Sequence, residues 1–405
     1  FFFYYFIFAY MNGIKNVSFK GKRVLLRVDF NVPLDENFEV VDNTRIKSAI
    51  PTIKKILSSN GRLILMTHLG RPKNKQDLRF STKKLAKELS FLLNKSVYFL
   101  PDCIGVSVKE RVLEMEDGEV VLLENLRFYK EESGGDFSFS KKLASLADVY
   151  VSDAFGVAHR RHASNSVVPT FFQKNKFAGL LLEKELKSLH SISKNPLSPF
   201  TAIIGGVKVS DKIGLLLSIL KKVDNLIIGG AMAYTFVSYL KGSIGSSLVE
   251  KNQEKTIEDI FCAARENNVQ LILPIDSLNA KKISNTSPVC ESDINNIPAG
   301  YMGLDIGGKS LRLFSKVINS SSTIMWNGPM GVFEKNNFEK GTLGVARAIA
   351  DRTESGAFSF VGGGDSISAL KKFSLFNKVS YVSTGGGAMF SYLQGKEMPG
   401  IKSLS

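Results

Sequence analysis

Basic and polar side chains follow several apolar runs in the first half of the sequence. Asp29 and Asn31 come directly after the run VLLRV, and the turn His-Leu-Gly-Arg-Pro at 68–72 follows the run LILMT. Further arginines stand in similar turns or at a predicted helix start, namely Arg45, Arg127 and Arg160. Guanidinium groups bind small, multiply charged anions through forked hydrogen bonds. The first half therefore predicts a site for an anionic small molecule.

Glycine pairs and triplets follow the apolar runs of the second half, at 205–206, 229–230, 362–364 and 385–387. A glycine before a helix lets backbone N–H groups approach a phosphate closely. Lys208 and Lys212 follow the first pair, and their spacing of four predicts that both lie on one face of a helix. Asp365 follows the triplet at 362–364, where a carboxylate beside phosphates is suited to Mg²⁺. The second half therefore predicts a nucleotide site.

Short apolar runs must position these residues, and they alternate with amphipathic segments of helical length, such as 44–58 and 82–93. The runs typical of strands lie at 24–30, 63–68, 97–100, 120–124 and 149–155, and then at 202–206, 226–230, 271–276, 323–328, 358–364 and 381–387. Strands that alternate with helices predict parallel sheets covered on both faces, so we predict two doubly wound, Rossmann-like α/β domains. Ligands of such sheets bind at the carboxyl ends of the strands, where the candidate residues stand.

Composition and charge exclude several classes of protein. The 405 residues are 44% apolar and 22% charged, which excludes disorder over most of the chain. The three cysteines, Cys103, Cys262 and Cys290, form no C-x-x-C pair, so we expect neither a disulfide framework nor a thiolate zinc site, and a reducing cytosol fits them. The net charge of +15 fits a polyanionic ligand. No basic block carries interleaved aromatic residues, so we expect no specific nucleic acid partner.

The first ten residues, FFFYYFIFAY, are uncharged and precede Met11. Ten apolar residues are too few to cross a bilayer, which takes about 20, and the segment lacks the basic start and the cleavage site of a secretory signal. We interpret residues 1–10 as a non-native or unstructured extension, with a genuine apolar extension as the alternative. No other segment is apolar for long enough to span a membrane, so we expect a soluble protein.

The segment Gly303–Ser310 satisfies the pattern G-x-x-x-x-G-K-[ST] of a P-loop. A P-loop follows a buried strand, whereas the preceding segment at 295–302 is polar and contains proline and glycine. The pattern alone favours a P-loop NTPase and its context does not, so we keep this function as an alternative. A non-catalytic protein that binds polyanions through its basic surface is the other alternative.

Nine motifs occur in order along the chain and together resemble phosphoglycerate kinase: RVDFNVP, DNTRI, HLGRP, ENLRF, DAFGVAHR, GGVKVSDK, WNGPMGVFE, GGGDS and STGGGA. The fold implied by this resemblance has two α/β domains joined by a hinge helix, with the C-terminal segment returning to the first domain. We therefore predict a 3-phosphoglycerate-binding domain over 11–180, a connecting hinge helix over 181–195, a nucleotide-binding domain over 196–388 and a returning segment over 389–405.

The resemblance also implies roles for single residues. The residues that would bind 3-phosphoglycerate or 1,3-bisphosphoglycerate are Asp29, Phe30, Asn31, Arg45, His68, Leu69, Gly70, Arg71, Arg127 and Arg160. Those that would bind the nucleotide are Lys208, Lys212, Gly303, Glu334, Gly363, Gly364, Asp365 and Ser366. Those with a catalytic role would be Arg45, Lys212, Gly364 and Gly387. Asp365 would coordinate the Mg²⁺ of Mg-ADP or Mg-ATP, and the adjacent Arg160 and Arg161 leave open which of the two contacts the substrate.

The activity implied is reversible, Mg-dependent phosphoryl transfer from 1,3-bisphosphoglycerate to ADP, giving 3-phosphoglycerate and ATP, by a glycolytic, cytoplasmic and monomeric enzyme. In the ATP-consuming direction the nucleophile is a carboxylate that is already ionised at neutral pH, so no general base is needed. The protein then has to align the reactants and neutralise charge. We expect Lys212 and Arg45 to contact the transferring group, in direct in-line transfer within an interdomain cleft that closes by hinge bending.

Overall fold

The computed structural model describes residues 11–74 and 77–405, and the extension at 1–10 lies outside the described residues. The chain divides into two compact units. Unit 1 combines the described residues up to Lys187 with Gly395–Ser405, and unit 2 consists of Ser188–Gln394. Within the described ranges, no helix is both long enough and apolar enough to cross a membrane.

Unit 1 is built on a six-stranded sheet in which all neighbouring strands run parallel. Its strands are β1 (Arg23–Val28), β2 (Arg62–Met66), β3 (Tyr98–Leu100), β4 (Val120–Leu123), β5 (Val149–Asp153) and β6 (Lys176–Ala178). Its helices before the sheet's last strand are α1 (Thr44–Leu57), α2 (Lys83–Leu93), α3 (Val106–Leu113), α4 (Lys130–Gly134) and α5 (Phe137–Ala144). The strand order is β3-β4-β2-β1-β5-β6, so the direction of winding reverses between β1 and β5.

The helices of unit 1 form because their apolar residues recur at helical spacing. In α1, the buried side chains Ile46, Ala49, Ile53 and Ile56 lie three or four positions apart. They pack with β1, β2 and β4 into one hydrophobic core. The sequence had predicted helices at 44–58 and 82–93, and α1 and α2 agree with those bounds within one residue. Asp42, rather than the adjacent Asn43, accepts the first free N–H group of α1, from Thr44 at 2.9 Å.

Unit 2 contains a second parallel six-stranded sheet, with the order β10-β8-β7-β15-β16-β17. The helix α6 (Leu180–Lys194) leads into it, and its strands are β7 (Phe200–Ile204), β8 (Asn225–Ile228), β10 (Gln270–Ile272), β15 (Thr323–Asn327), β16 (Phe358–Gly362) and β17 (Tyr381–Ser383). Renumbered within the sheet, this order is 3-2-1-4-5-6, which is that of the Rossmann fold. The winding reverses between β7 and β15. The predicted fold class of two doubly wound α/β domains is confirmed.

The remaining helices of the chain complete the layers and the C-terminus. They are α7 (Ile213–Ile219), α8 (Met232–Tyr239), α9 (Glu254–Glu266), α10 (Gly308–Asn319), α11 (Lys340–Glu354), α12 (Gly364–Lys372), α13 (Gly387–Leu393) and α14 (Pro399–Lys402). The last of these belongs to unit 1. There Gly400 donates its N–H to the Ala158 carbonyl at 2.9 Å, and the Ser403 hydroxyl donates to the Asn165 carbonyl at 3.0 Å. The returning C-terminal segment thus supports the loop that carries Arg160.

Two small sheets in unit 2 were not predicted. One is antiparallel, with β11 (Asp276–Ala280) between β12 (Cys290–Asp293) and β14 (Met302–Ile306), and the other pairs β9 (Ser243–Ile244) with β13 (Asn296–Ile297). The predicted strand at 271–276 was wrong in its extent, because the chain leaves β10 at Ile272 and begins β11 at Asp276. Pro274 lies between them, and proline cannot donate to a sheet.

Trp326 has the largest side chain among the described residues that are fully buried. It lies in β15, in the middle of the second sheet, and its indole N–H donates to the Gly328 carbonyl at 2.8 Å. The surrounding core combines β7, β8 and β15 with α10 and α11. The indole thereby joins this core to the turn that follows β15.

The segment that satisfies the P-loop pattern does not form a phosphate-binding loop with free N–H groups at the start of the helix. Its first residues, Gly303 to Ile306, belong to β14, which the polar composition of 295–302 had not predicted. The helix α10 begins at Gly308, and the Asp276 carboxylate accepts the N–H groups of Lys309 (2.7 Å) and Ser310 (2.8 Å). A side chain of the protein itself therefore occupies the position that a phosphate takes in a P-loop.

We predict that Asp276→Ala lowers the free energy of unfolding by about 1 kcal/mol, because α10 loses its N-terminal acceptor. Burial opposes ionisation of Asp276, but the hydrogen bonds from Ser310 and Lys309 outweigh it and hold the pKa of the carboxyl below its usual value. This contribution is therefore present above the unfolded-state pKa of about 3.9 and is lost as the pH falls through the lower folded-state pKa.

Urea unfolding at neutral and at acidic pH measures this effect. Asp293→Ala is the control, because Asp293 faces Asp276 across the β11–β12 pair and is exposed. Equal losses in the two variants at neutral pH would contradict the capping role.

Candidate active site

Opposite charges meet at the carboxyl end of β1. Asp29 follows this strand, and its carboxylate forms an ion pair with Arg45 of α1. Gly156, which follows β5, packs so closely that a Cβ there would lie 2.2 Å from the Asp29 carboxylate. These residues lie where the winding of the first sheet reverses, which is where ligands of such sheets bind. Asp29 therefore orients the Arg45 guanidinium at the predicted binding edge.

The turn at 68–71 is held by side chains from neighbouring strand ends. Gly70 donates its N–H to Asn31 Oδ1 at 2.8 Å, and its carbonyl accepts from the Arg127 guanidinium at 2.7 Å. Gly70 has a φ of +59°, and a Cβ there would lie 2.2 Å from the Phe80 ring. Only glycine fits this position without displacement of its neighbours. The turn thereby fixes Asn31 and Arg127 relative to each other.

Asn125, which the sequence did not single out, organises the same turn. Its Oδ1 accepts the N–H groups of Leu69 (3.1 Å) and Arg127 (3.0 Å), and its Nδ2 donates to the Leu69 carbonyl at 2.7 Å. The side chains of Leu69 and Phe30, both predicted substrate residues, are buried in the hydrophobic core of unit 1. They support the binding edge from below and do not line the adjacent cavity.

A cavity of about 810 Å³ opens beside this turn, and cations dominate its wall. The basic residues that line it are Arg71, Lys73, Arg127, Lys130 and Arg160, against the single carboxylate of Glu131. Burial and the neighbouring charge of Arg160 lower the pKa of Arg127 to about 10, so this guanidinium stays protonated at neutral pH. The cavity is therefore electrostatically suited to a small polyanion. Arg161 is exposed and does not line the cavity, whereas Arg160 does.

Buried polar residues lie beneath the cationic wall, and the sequence did not predict them as site residues. They are Arg27, Glu132, Ser164 and His162, joined to His68 by hydrogen bonds and ion pairs. Burial and the charge of Arg27 hold the pKa of His68 well below its usual value, and the same causes lower the pKa of His162 to about 4. Both rings are therefore neutral at neutral pH. The sequence feature that could have indicated these buried charges is Arg27, a charged residue inside the apolar run of β1.

Lys212 holds the corresponding position in unit 2, at the carboxyl ends of β7 and β15. Its ammonium group donates to the Gly205 carbonyl (2.5 Å), to Asn327 Oδ1 (2.7 Å) and to the Asn327 carbonyl (3.2 Å). Burial lowers the pKa of Lys212 to about 8, although the carboxylates of Asp365 and Asp211 oppose this shift. The group is thus a desolvated cation at the point where the winding of the second sheet reverses.

The prediction that Lys208 and Lys212 share a helix face was wrong. Lys208 lies in the bend after β7, a single turn at Ser210–Lys212 follows, and α7 begins only at Ile213. The backbone at Gly206 has a φ of +110°, a value that favours glycine, so the glycine pair before Lys208 makes this bend possible. Lys208 is exposed. Its predicted contact with the nucleotide stays a prediction.

An apolar pocket of about 230 Å³ lies beside the same strand ends. It is lined by glycines and aliphatic side chains, among them Gly206, Leu248, Gly303, Met330 and Val332. At Gly303 a Cβ would lie 2.1 Å from the hydroxyl of Tyr234, another lining residue, so glycine is needed for the close packing of this part of the pocket wall. Such a pocket is suited to a planar, apolar ring. Glu334, the predicted ribose ligand, lies exposed two residues after Val332.

The predicted phosphate turns lie at the N-termini of two helices. Gly363 precedes α12 with a φ of +96°, and Gly364 and Asp365 form its exposed first turn. Ser366 is instead buried, and its hydroxyl accepts the Gly328 N–H at 2.6 Å. Gly387 begins α13. Asn327 Nδ2 donates to the Gly362 carbonyl at 2.7 Å, so one amide joins the Lys212 site to the α12 turn.

The donor set around α12 fits a metal ion that arrives on phosphates. Among the described residues, no group of three or more His, Cys, Asp or Glu side chains could hold an ion. Asp365 offers one exposed carboxylate in the first turn of α12, and Mg²⁺ is commonly held by one or two carboxylates together with substrate phosphates. The position of Asp365 is compatible with its predicted contact with Mg²⁺, which stays a prediction.

Comparison with known proteins identifies the family. The sequence model described as phosphoglycerate kinase matches residues 14–396. The chain belongs to the phosphoglycerate kinase family. Phosphoglycerate kinase from Chlorobaculum tepidum is 47% identical over 392 residues, which cover 97% of this chain and 98% of that protein. The corresponding protein from Thermosipho africanus is 47% identical over 393 residues, covering 97% of each chain.

Solved structures agree with this assignment. Phosphoglycerate kinase from Coxiella burnetii superposes with a TM-score of 0.86 at 38% identity, covering 97% of this chain and 98% of that one. The Pyrococcus horikoshii enzyme gives a TM-score of 0.84 at 30% identity, with the same coverage. The chain is thus a glycolytic phosphotransferase with a carboxyl group as acceptor, as predicted. The P-loop and polyanion-binding alternatives are not favoured.

We predict that Arg160→Ala raises the KM for 3-phosphoglycerate by about 10- to 100-fold, the usual effect of losing a hydrogen bond to a charged group. Arg161→Ala is the matched control, because it removes an adjacent, exposed arginine that does not line the cavity. Steady-state kinetics with varied 3-phosphoglycerate measure both. A larger effect in the Arg161 variant would assign the contact to that residue.

We also predict that nucleotide affinity falls as the pH rises through about 8, the pKa of Lys212, because a phosphate binds the protonated ammonium. Lys212→Arg keeps its charge above that pH, so its affinity should not fall there. Calorimetric titration with ATP, which carries the phosphoryl group that is transferred, measures the difference on either side of this pH. An equal decline in both proteins would place the titrating group elsewhere.

Proposed function

We propose that unit 1 binds the phosphoglycerate substrate and that unit 2 binds ADP or ATP. The observation that carries this assignment is the difference between the two binding edges. Arginines and lysines line a cavity of about 810 Å³ in unit 1, whereas an apolar pocket of about 230 Å³ lies beside a buried lysine in unit 2. A small polyanion suits the first, and a base that carries phosphates suits the second.

In unit 1, Arg71, Arg127 and Arg160 would neutralise the phosphate and carboxylate charges of phosphoglycerate. Their guanidinium groups can form paired hydrogen bonds with either anion. Asp29 holds Arg45 at the same strand ends, and His68, which follows β2 beside them, would donate a hydrogen bond to the substrate. The predicted contacts of Asn31 and Gly70 fit the turn that these residues build.

In unit 2, the apolar pocket would hold the base, and the first turn of α12 would receive the phosphates. Gly363 and Gly364 lack side chains there, so a phosphate can approach the backbone N–H groups at the positive end of the helix. Lys212 would contact the phosphoryl group that is transferred. Gly387 at the start of α13 and Glu334 stay predicted contacts of the phosphates and the ribose.

Asp365 is the residue that we propose for Mg²⁺. The ion, when bound, would neutralise charge on the nucleotide phosphates. The Asp365 carboxylate also raises the pKa of Lys212 from the low value that burial alone would give. It thereby favours the protonated lysine that a phosphate needs.

Phosphoryl transfer in this site needs no general base. The acceptor carboxylate of 3-phosphoglycerate is ionised at neutral pH, and His68 and His162, which lie beneath the cationic wall, are neutral and buried. The work of the protein is alignment and the stabilisation of charge in a desolvated site. Lys212 is suited to this work because its ammonium is already oriented by three carbonyl oxygens.

We further propose a monomer in the cytoplasm. The cysteines at 103, 262 and 290 form no disulfide with one another, which supports a reducing compartment. The hinge role of the helix at 181–195 stays a prediction. The helix α6 itself runs unbroken across the boundary between the two units, from Leu180 to Lys194.

The decisive assay is the Mg²⁺- and ATP-dependent phosphorylation of 3-phosphoglycerate, coupled through glyceraldehyde-3-phosphate dehydrogenase to the loss of NADH. We expect turnover that requires both substrates and Mg²⁺. Lys212→Ala should lower kcat on the order of 100- to 1,000-fold, the usual cost of removing one donor aimed at transition-state charge. Folded, nucleotide-binding protein without turnover would refute the proposed assignment.

Lys309→Ala is the matched control for the P-loop alternative. Lys309 occupies the lysine position of that pattern, and its backbone N–H is already bound by Asp276. We expect the Lys309 variant to keep the activity of the unmodified enzyme. A loss in this variant and none in Lys212→Ala would reverse the assignment.

A further inference from the structure

A fully buried arginine lies under the binding edge of unit 1. Arg27 is in β1, and no part of its side chain is exposed. Its Nε donates to the Ser164 hydroxyl at 2.7 Å, its Nη1 donates to the Val28 carbonyl, and its Nη2 lies 3.2 Å from His68 Nδ1. A buried guanidinium needs a counter-charge, because desolvation of an unpaired ion is costly.

Glu132 supplies that counter-charge from the short helix α4. Its carboxylate is also fully buried, with Oε1 3.9 Å from Arg27 Nη2. Ser164 joins the two ions, because its hydroxyl accepts from Arg27 Nε and donates to Glu132 Oε1 at 2.7 Å. The Ser164 N–H donates to Glu132 Oε2 at 3.0 Å. The carboxylate is therefore fixed by backbone and side chain, and His162 Nδ1 lies 3.8 Å away.

The contact between Arg27 and His68 determines which nitrogen of the histidine carries the proton. A guanidinium can only donate, so His68 Nδ1 must accept, and the ring proton must lie on Nε2. The Asp29 carboxylate is 4.0 Å from the same Nδ1, too far to compete as an acceptor. His68 is consequently held as a neutral ring whose other nitrogen is a donor, the form suited to an anion.

Glu132 itself does not reach the binding cavity. Its neighbours in α4, Glu131 and Ser133, line the cavity, while Glu132 turns inward among the buried charges. We propose that Glu132 is a positioning residue: by holding Arg27 in place, it keeps His68 as the Nε2–H donor that phosphoglycerate binding requires. This proposal rests on the proposed role of His68, so its test reads the histidine and the substrate separately.

The physical consequence of losing the carboxylate follows from the geometry. In Glu132→Gln the guanidinium keeps a partner of the same shape but loses the negative charge. Arg27 is then free to turn toward the other carboxylate at this edge, Asp29, and His68 Nδ1 loses its fixed donor. The ring can then carry its proton on either nitrogen.

The first measurement is the ¹⁵N spectrum of the histidine rings in ¹⁵N-histidine-labelled protein, with the His68 signals assigned through a His68→Asn variant. Bare and protonated ring nitrogens have different shifts, so the spectrum reports the tautomer without substrate. We expect the Nε2–H form alone in the unmodified enzyme and a mixture of both forms in Glu132→Gln.

The second measurement is the coupled assay on the same variants. We expect the KM for 3-phosphoglycerate to rise about tenfold in Glu132→Gln, equivalent to one lost hydrogen bond, while the KM for ATP stays unchanged. Ser164→Ala removes the joining hydroxyl and keeps both charges, so it tests the same contact if Glu132→Gln does not fold. We expect it to change the tautomer and the KM in the same direction.

Asp148→Asn is the matched control. Asp148 pairs with Arg23 at 2.7 Å at the opposite end of β1, so it breaks an arginine–carboxylate pair on the same strand away from the site. It should leave the His68 spectrum and both KM values unchanged. An unaltered His68 tautomer in the folded variants would overturn the proposal. So would an altered tautomer with an unchanged KM for 3-phosphoglycerate, or a rise of both KM values together.

Discussion

Parallel strands place all their carboxyl ends at one edge of a sheet, and a reversal of the winding leaves a gap at that edge that no crossover helix covers. Both units of this chain use that gap. In unit 1 the reversal between β1 and β5 receives Asp29 and Arg45. In unit 2 the reversal between β7 and β15 receives Lys212 and Asn327. Every other part of the two binding edges, from the glycine turns to the buried charges, is arranged around these two positions.

Much of the fold could be predicted because buried parallel strands read as unbroken apolar runs. The runs of β2 and β4 contain almost only apolar residues, and amphipathic helices such as α1 lie between the strands along the chain. The small sheet of β11, β12 and β14 could not be predicted in this way. Its strands carry polar residues, and they are held by pairing with each other and by Asp276 against α10. Such pairing depends on tertiary contacts that have no period in the sequence.

The candidate site could be predicted where function requires an unusual residue directly after a strand, as with His68 and the glycine triplet before Asp365. The site could not be predicted where a buried residue holds the binding residues in place without lying directly after a strand in an unusual motif. Asn125, Asn327 and Glu132 are ordinary polar residues in sequence, and only the fold shows that each joins two segments of its own binding edge. Lys208 shows the opposite error, because a spacing of four has meaning only inside a helix, and the bend at Gly206 precedes the helix.

Trp326 has a consequence for how this enzyme can be observed. It is the single tryptophan of the chain, it is fully buried, and its indole N–H is bonded to the Gly328 carbonyl. The Gly328 N–H is in turn bonded to Ser366 in α12. Indole emission depends on the polarity and hydrogen bonding of its surroundings, so the tryptophan fluorescence of the whole protein originates in unit 2, beside the turn after β15 that is hydrogen-bonded to α12. The chain thus carries a native optical probe of one of its two binding edges, and no dye has to be attached to follow it.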